Sequence, residues 1–319
     1  MFFLTVPKNV INYHNPKSII MKVLSITRIV IVTIALSITL FTISCKKDAA
    51  TNKQTVTESE ATQYSAESME TEASYDDVQD ISMTAADEEG AASAGRPAGN
   101  TAGRPFPFLK LRLRIGANAT ISVTPNDSTY PKTVAIDFGA DGQTCPDGKF
   151  RKGKIVMNFS GPVRHTGSVV TITLVDFQIG RAKIEGTKVI TNLSTNGNIK
   201  FSVKVTDGKV TFPNGRGYSY ETLRYITQTE GGGTPDITDD VYSIEGHSQT
   251  KFNNGVIVSL DTQTALIKKV SCPWISKGTL KITVNTFESL LDYGYPSNGD
   301  CDNKALLKYN GQESIVLLP

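Results

Sequence analysis

An all-β domain over residues 105–319, a mostly antiparallel meander of about a dozen strands built as a sandwich or a partly closed barrel, is the fold this sequence predicts. Three observations point to it. Apolar and polar residues alternate with period two in segment after segment, Asp-Gly and Asn-Gly dipeptides punctuate the alternation, and no helical period of ten or more residues follows Pro105.

In order along the chain, Val170, Ile172 and Leu174 alternate with Thr171 and Thr173 as one strand. In "KFSVKVTDGKVTF", Phe201, Val203 and Val205 share one face and Lys200, Ser202 and Lys204 the other. Asp207-Gly208, which tolerates positive φ, is expected to turn this chain into a hairpin. Asn254-Gly255 opens "VIVSL", Leu280, Ile282 and Val284 alternate with Lys281 and Thr283, and Asn310-Gly311 links "LLKY" to "SIVLL".

The N-terminal part reads differently. From Met21, a basic start with Lys22 and Arg28 leads into the apolar run Ile29–Phe41 and then small residues before Cys45. The run is too short to cross a bilayer, so 21–44 is expected to be a secretory signal. Thr42-Ile43-Ser44-Cys45 resembles the lipobox of bacterial lipoproteins, with Thr42 where Leu is usual; it implies cleavage before Cys45 and a lipid on its sulfur. Lys46 after the cysteine, by resemblance to lipoproteins of diderm bacteria, favours the outer membrane. Residues 1–20 lie upstream of this signal without periodicity and are expected to be a mis-called extension, with Met21 the start.

Residues 45–104 hold five basic against twelve acidic side chains and few large apolar ones, and are expected to form a flexible stalk. A short acidic helix over 67–82 is the lesser alternative to a solvated charge run. The β domain keeps an excess near plus five, spread along strands without a dense cluster, which with an exported location argues against nucleic acid as a partner.

Two signatures recur, "IDFGADGQTCPDGKFRKGKI" from Ile136 and "LDYGYPSNGDCDNKALLKYNG" from Leu291. Each reads as a strand end, a glycine turn and a cysteine, a recurrent corner rather than a long repeat. With Cys45 lipidated, three cysteines remain. Cys272 and Cys301 flank one strand excursion and are the preferred disulfide, worth about 3 to 4 kcal/mol through the unfolded chain, with Cys145 single; Cys145 with Cys301 is the competing pair. Asp137, Asp141 and Asp147 in one corner, and Asp300 and Asp302 in the other, are weak calcium candidates, since neither loop has the spacing of an EF-hand and Asp beside Gly more often turns the chain.

"DFG" stands without a glycine-rich phosphate loop, a strand lysine motif or an "HRD" loop, so kinase chemistry is excluded. His165 and His247 sit in polar, turn-like settings, and neither a nucleophile elbow nor paired zinc-ligand spacing appears. No cofactor and no catalytic residues are assigned. Trp274, Tyr218, Tyr220, Tyr225, Tyr293 and Tyr295 offer a stacking surface for sugars, with core packing the simpler reading and Trp274 expected as a core plug beside Cys272.

The phrases "AIDFG", "CPDGKFRKGKI", "EGTKVITNL", "DDVYSIEG", "LDYG" and "GDCDNKA", in this order over 130–319, resemble β-rich cell-envelope lipoproteins of the Bacteroidota. The resemblance implies a cell-envelope lipoprotein with a β domain and carries over no catalytic residue. Asp127-Ser128-Thr129 also looks like the O-glycosylation acceptor of that phylum, with Ser128 the acceptor. The expected function is a non-catalytic, lipid-anchored envelope protein, membrane-bound through its N-terminal lipid and partnered by a glycan or an envelope protein. The alternative is a polysaccharide-acting enzyme.

Overall fold

The computed structural model describes residues 56–94, 108–232 and 239–318. The signal region, Cys45 and the start of the expected stalk lie outside them. A compact unit spans Thr51–Pro319. The β domain is an antiparallel meander of fourteen strands in one sheet, and that sheet is not closed.

The strands are β1 (Thr120–Thr124), β2 (Lys132–Asp137), β3 (Gln143–Thr144), β4 (Phe150–Phe159), β5 (Val169–Ile179), β6 (Ala182–Asn192) and β7 (Lys200–Thr211), followed by β8 (Gly217–Glu230) and β9 (Val241–Phe252). The second half holds β10 (Ile257–Lys269), β11 (Lys277–Val284), β12 (Phe287–Asp292), β13 (Lys304–Tyr309) and β14 (Gln312–Leu317). Neighbours in sequence pair throughout, except that β3 is a short flap on β4, so β2 pairs β4 directly; β1 and β14 are the edges. The turns at Asn254-Gly255 and Asn310-Gly311 fall where the sequence places them, and Asn310 and Gly311 both take positive φ, as a tight hairpin requires. The alternation holds too: Val170, Ile172, Ile282 and Val284 are buried.

Two expectations are corrected. Asp207-Gly208 does not turn the chain; β7 runs straight through it as one strand, and the pairing with β8 slips between Val205 and Gly208. Asp207 takes φ 53, so the dipeptide spends its tolerance of positive φ on a bulge rather than a turn. Matching slips occur at Lys152/Lys154, Thr173/Gln178 and Glu185/Thr187 in the neighbouring ladders. Bulges add twist and bend, so a row of them across adjacent strands curls the sheet. Close backbone approach is the second reason for glycine here: a Cβ on Gly208 would stand 2.3 Å from the Tyr220 carbonyl oxygen and 2.9 Å from the Tyr75 hydroxyl.

The second correction concerns the stalk. Over Glu58–Ala94 the chain is a 37-residue helix, α1, and its inner face is part of the hydrophobic core. The helix begins with a capping box: the Glu60 N–H donates to Thr57 Oγ1 at 3.3 Å while the Thr57 N–H donates to Glu60 Oε2 at 2.9 Å. Ala61, Ser68, Thr71, Tyr75, Val78, Ser82, Ala85 and Glu89 are buried at spacings of three, four and seven, one stripe along the helix. Tyr75, Val78 and the likewise buried Ile81 are the large apolar members of the stripe and the rest are small or polar, which dilutes its hydrophobic signal. The ring of Tyr75 stacks on Tyr220 at 4.6 Å, and the Tyr75 hydroxyl donates to the Glu185 carbonyl across the sheet at 2.7 Å. A second helix, α2 (Leu109–Ile115), rests on the first: both Glu88 carboxylate oxygens accept from its opening N–H groups, Lys110 at 2.9 Å and Leu111 at 3.0 Å.

The domain therefore starts at the helix, not at residue 105. A chain of residues 105–319 is expected to lose cooperative thermal unfolding, whereas 51–319 keeps it; differential scanning calorimetry separates the two. At the bulges, Gly153→Ala places a Cβ 2.3 Å from the Asp176 carbonyl oxygen. Urea unfolding is expected to show a loss of about 3 kcal/mol there and about 1 kcal/mol for Gly180→Ala, which shares a positive φ but has open space around it.

Candidate functional site

Acidic residues of α1 meet basic residues pointing from the sheet. Arg151 of β4 is fully buried; its Nε donates to Asp77 Oδ2 at 3.0 Å and its Nη2 to Asp77 Oδ1 at 2.8 Å. The same guanidinium holds Asp147 at 2.9 and 2.6 Å, and Lys149 and Arg114 add donors to Asp77 at 2.9 and 2.8 Å. Lys132 of β2, also buried, donates to Glu89 at 2.7 Å. Arg224 of β8 clasps Glu72 and Asp76, and Lys188 of β6 donates to the Tyr75 carbonyl at 2.7 Å. Ser248 completes Glu72 at 3.0 Å.

The field of these charges tunes their acidity. Burial pushes Asp77 up, but the hydrogen bonds and charge of Arg151, with those of Lys149, outweigh it and hold the carboxyl at about 2. Burial raises Glu72 despite Arg224, and lowers Lys188 to about 8 despite Asp76.

Beside this ionic spine a cleft of about 750 Å³ opens between α1 and the ends of β4 to β8. Phe150 and Phe212, both half-buried, and buried Tyr218 line it with Glu67, Asn214 and Arg216. Phe212 meets Tyr218 edge-on at 5.8 Å. Arg216 donates to Glu67 Oε1, while Glu67 Oε2 is buried with no partner among the described residues.

The two signatures build one kind of corner. Asp137 Oδ1 accepts from the Gly139 N–H at 2.8 Å and Asp292 Oδ1 from the Gly294 N–H at 3.1 Å, while Phe138 and Tyr293 turn into the core. Cys272 and Cys301 form a disulfide, with Cα atoms 5.6 Å apart, and Cys145 is free and buried. The calcium candidates have other uses. Asp137 pairs with Lys154 at 2.8 Å, Asp147 serves Arg151, Asp302 accepts from the Lys304 N–H at 2.8 Å, and Asp141 and Asp300 are exposed. Among the described residues no group of three or more His, Cys, Asp or Glu side chains is placed to hold a metal.

Ser128 is half-buried beside Asp127, whose carboxylate accepts from the Thr129 N–H at 2.8 Å; His165 and His247 are exposed. Of the aromatic residues, Tyr218, Tyr220 and Tyr293 are buried. Trp274 is not a core plug but half-buried on the wall of a smaller pocket, beside exposed Pro273 and two residues from the Cys272–Cys301 bridge. The acids of α1 and the cleft they border were not read from the sequence, although Thr57-x-x-Glu60 marks a helix start.

Fold and site together define a class by architecture: an open antiparallel meander curled over an acidic N-terminal helix that it holds by buried ion pairs. No protein-family model matches the chain, and neither does any curated protein or solved structure.

Asp77 sets a pH dependence. It is more acidic in the fold, at about 2, than its ordinary value of 3.8, so as pH falls the unfolded chain takes up this proton first. Its contribution of about 2 kcal/mol is complete above about pH 4 and is lost as pH falls through about 2. Urea midpoints measured between pH 6 and 2 are expected to show this decline, and Asp77→Asn to flatten it.

Proposed function

We propose that this is an exported, lipid-anchored protein of the cell outer membrane that works by binding, with a glycan of the cell surface as the partner and the cleft beside α1 as the site. The observation that carries the reading is the lining of that cleft. Aromatic faces at Phe150 and Phe212 stand beside Glu67, Asn214 and Arg216, an alternation of stacking surface with hydrogen-bonding groups that suits the apolar and hydroxyl faces of a sugar ring. The anchor at Cys45 and the export signal over 21–44 rest on the sequence pattern, and Ser128 stands as the candidate glycosylation acceptor on the same footing.

The rival reading, a polysaccharide-acting enzyme, draws on the same place because Glu67 and Glu70 both line it. A surface-polysaccharide array probed with the full chain tests both. Retention of at least one polymer, weakened about tenfold by Phe212→Ala with thermal stability kept, is the expected result. A blank array removes the glycan; release of reducing ends, abolished by Glu67→Gln, would establish the enzyme instead.

A further inference from the structure

We infer that the pocket between α1 and strands β8 to β11 is a second binding site, for an uncharged aliphatic chain of about eight to ten carbons ending in an oxygen. The pocket has a volume of about 260 Å³. Its walls include Met69, Ile244, Leu260, Leu266, Leu280 and Trp274.

The pocket has a cause in the ladder. Pairing of β10 with β9 is interrupted between Asp261 and Leu266, and pairing of β10 with β11 slips twice between Thr262 and Ile267. Strands whose ladder is broken on both sides of one stretch part locally; the lining residues Thr262 and Leu266 fall on that stretch, and Leu260 borders it, paired on both sides. The disulfide from Cys272 to Cys301 then pins the far wall, two residues from Trp274. The opening is thus framed by covalent and ladder constraints, as a preformed site is.

Its lining selects the ligand. Glu72, Asp76 and Arg224 line the pocket, and these two acids are already matched by Arg224 and by Lys188, which lies 3.8 Å from Asp76. An ionic head group would find every charge taken. What remains is apolar wall with the hydroxyls of Thr262 and Tyr293 and the His247 ring among the lining side chains. A neutral chain with a terminal hydroxyl or carbonyl oxygen supplies both the apolar surface and a hydrogen-bonding end for these groups. The volume sets the length, since a methylene group fills roughly the ~30 Å³ of a water molecule and 260 Å³ then holds about eight to ten of them.

Trp274 is the single tryptophan of the chain, so its fluorescence reports this pocket alone. The full chain carrying Cys45→Ser, oxidised and free of detergent, is titrated with 1-alkanols from hexanol to dodecanol. A change in Trp274 emission is expected, with affinity rising about fourfold per added methylene and levelling off near decanol. Leu266→Phe, which fills the pocket, is expected to weaken decanol at least tenfold, and Ile244→Phe serves if that variant melts early. Decanoate and decyltrimethylammonium are expected to bind at least tenfold more weakly. No response to any alcohol, or an equal response in both filled variants, overturns the site. Affinity that keeps climbing past decanol, or equal binding of the charged probes, overturns the ligand class. None of these results bears on the glycan cleft, which polymer retention reads out separately.

Discussion

The structure depends on the ion pairs between α1 and the sheet, and above all on Asp77 with Arg151. Both side chains are fully buried. Two charges taken from water are tolerable only when their hydrogen bonds are nearly complete, and here the carboxylate accepts from three basic residues while the guanidinium also holds Asp147. Remove the helix, and Arg151, Lys132 and Lys188 become cations inside an apolar sheet. The same charges that would be ruinous alone fix the helix in register, because Glu72, Asp76, Asp77 and Glu89 along it each meet basic side chains held at fixed places on the sheet. Register by charge complements the hydrophobic packing of Tyr75, Val78 and Ile81 on a face otherwise small and polar.

Curvature follows from the same arrangement. A flat sheet could not bring β2, β4, β6 and β8 to one helix, yet each supplies a cation to it. The bulges at Lys152/Lys154, Glu185/Thr187 and Val205/Gly208 bend the strands where they pass the helix, and at the last of these the backbone comes close enough to Tyr75 to exclude a Cβ. Where the ladders of β10 break instead, the sheet parts and leaves a pocket. One device, slipped pairing, gives a bend in the first half and an opening in the second.

Much of the fold was legible. Period-two alternation at Val170 to Leu174 and Leu280 to Val284, the turns at Asn254-Gly255 and Asn310-Gly311, and the bridge between Cys272 and Cys301 stand in the structure as the sequence suggests. Asp207-Gly208 misleads because a bulge and a turn ask the same thing of the backbone, positive φ, and only the partner strand decides between them. The helix was legible only as the lesser alternative over 67–82, for a different reason. Its stripe sets Tyr75, Val78 and Ile81 among Ala61, Ser68, Thr71, Ser82 and Ala85, a diluted hydrophobic signal, and its acids look solvated until distant partners such as Arg151, 74 residues from Asp77, are in view. The sequence did hold the clue as two numbers read apart: an acidic segment of minus seven and a basic β domain near plus five are the two halves of one electrostatic contact. The cleft beside α1 was hidden with the helix that forms its wall.

The small, polar face of α1 also bears on how the chain comes to be folded. Synthesis delivers the helix before any strand it will touch, so the segment waits while β2 to β11 are still being made. An amphipathic helix with a stripe of leucines would spend that interval exposing a sticky surface. This one sets Tyr75, Val78 and Ile81 among alanine, serine, threonine and carboxylates, so its apolar stripe is narrow and its acidic charge repels its own kind until basic strands arrive. The composition that conceals the helix on paper also lowers the apolar surface that the segment shows before its strands exist.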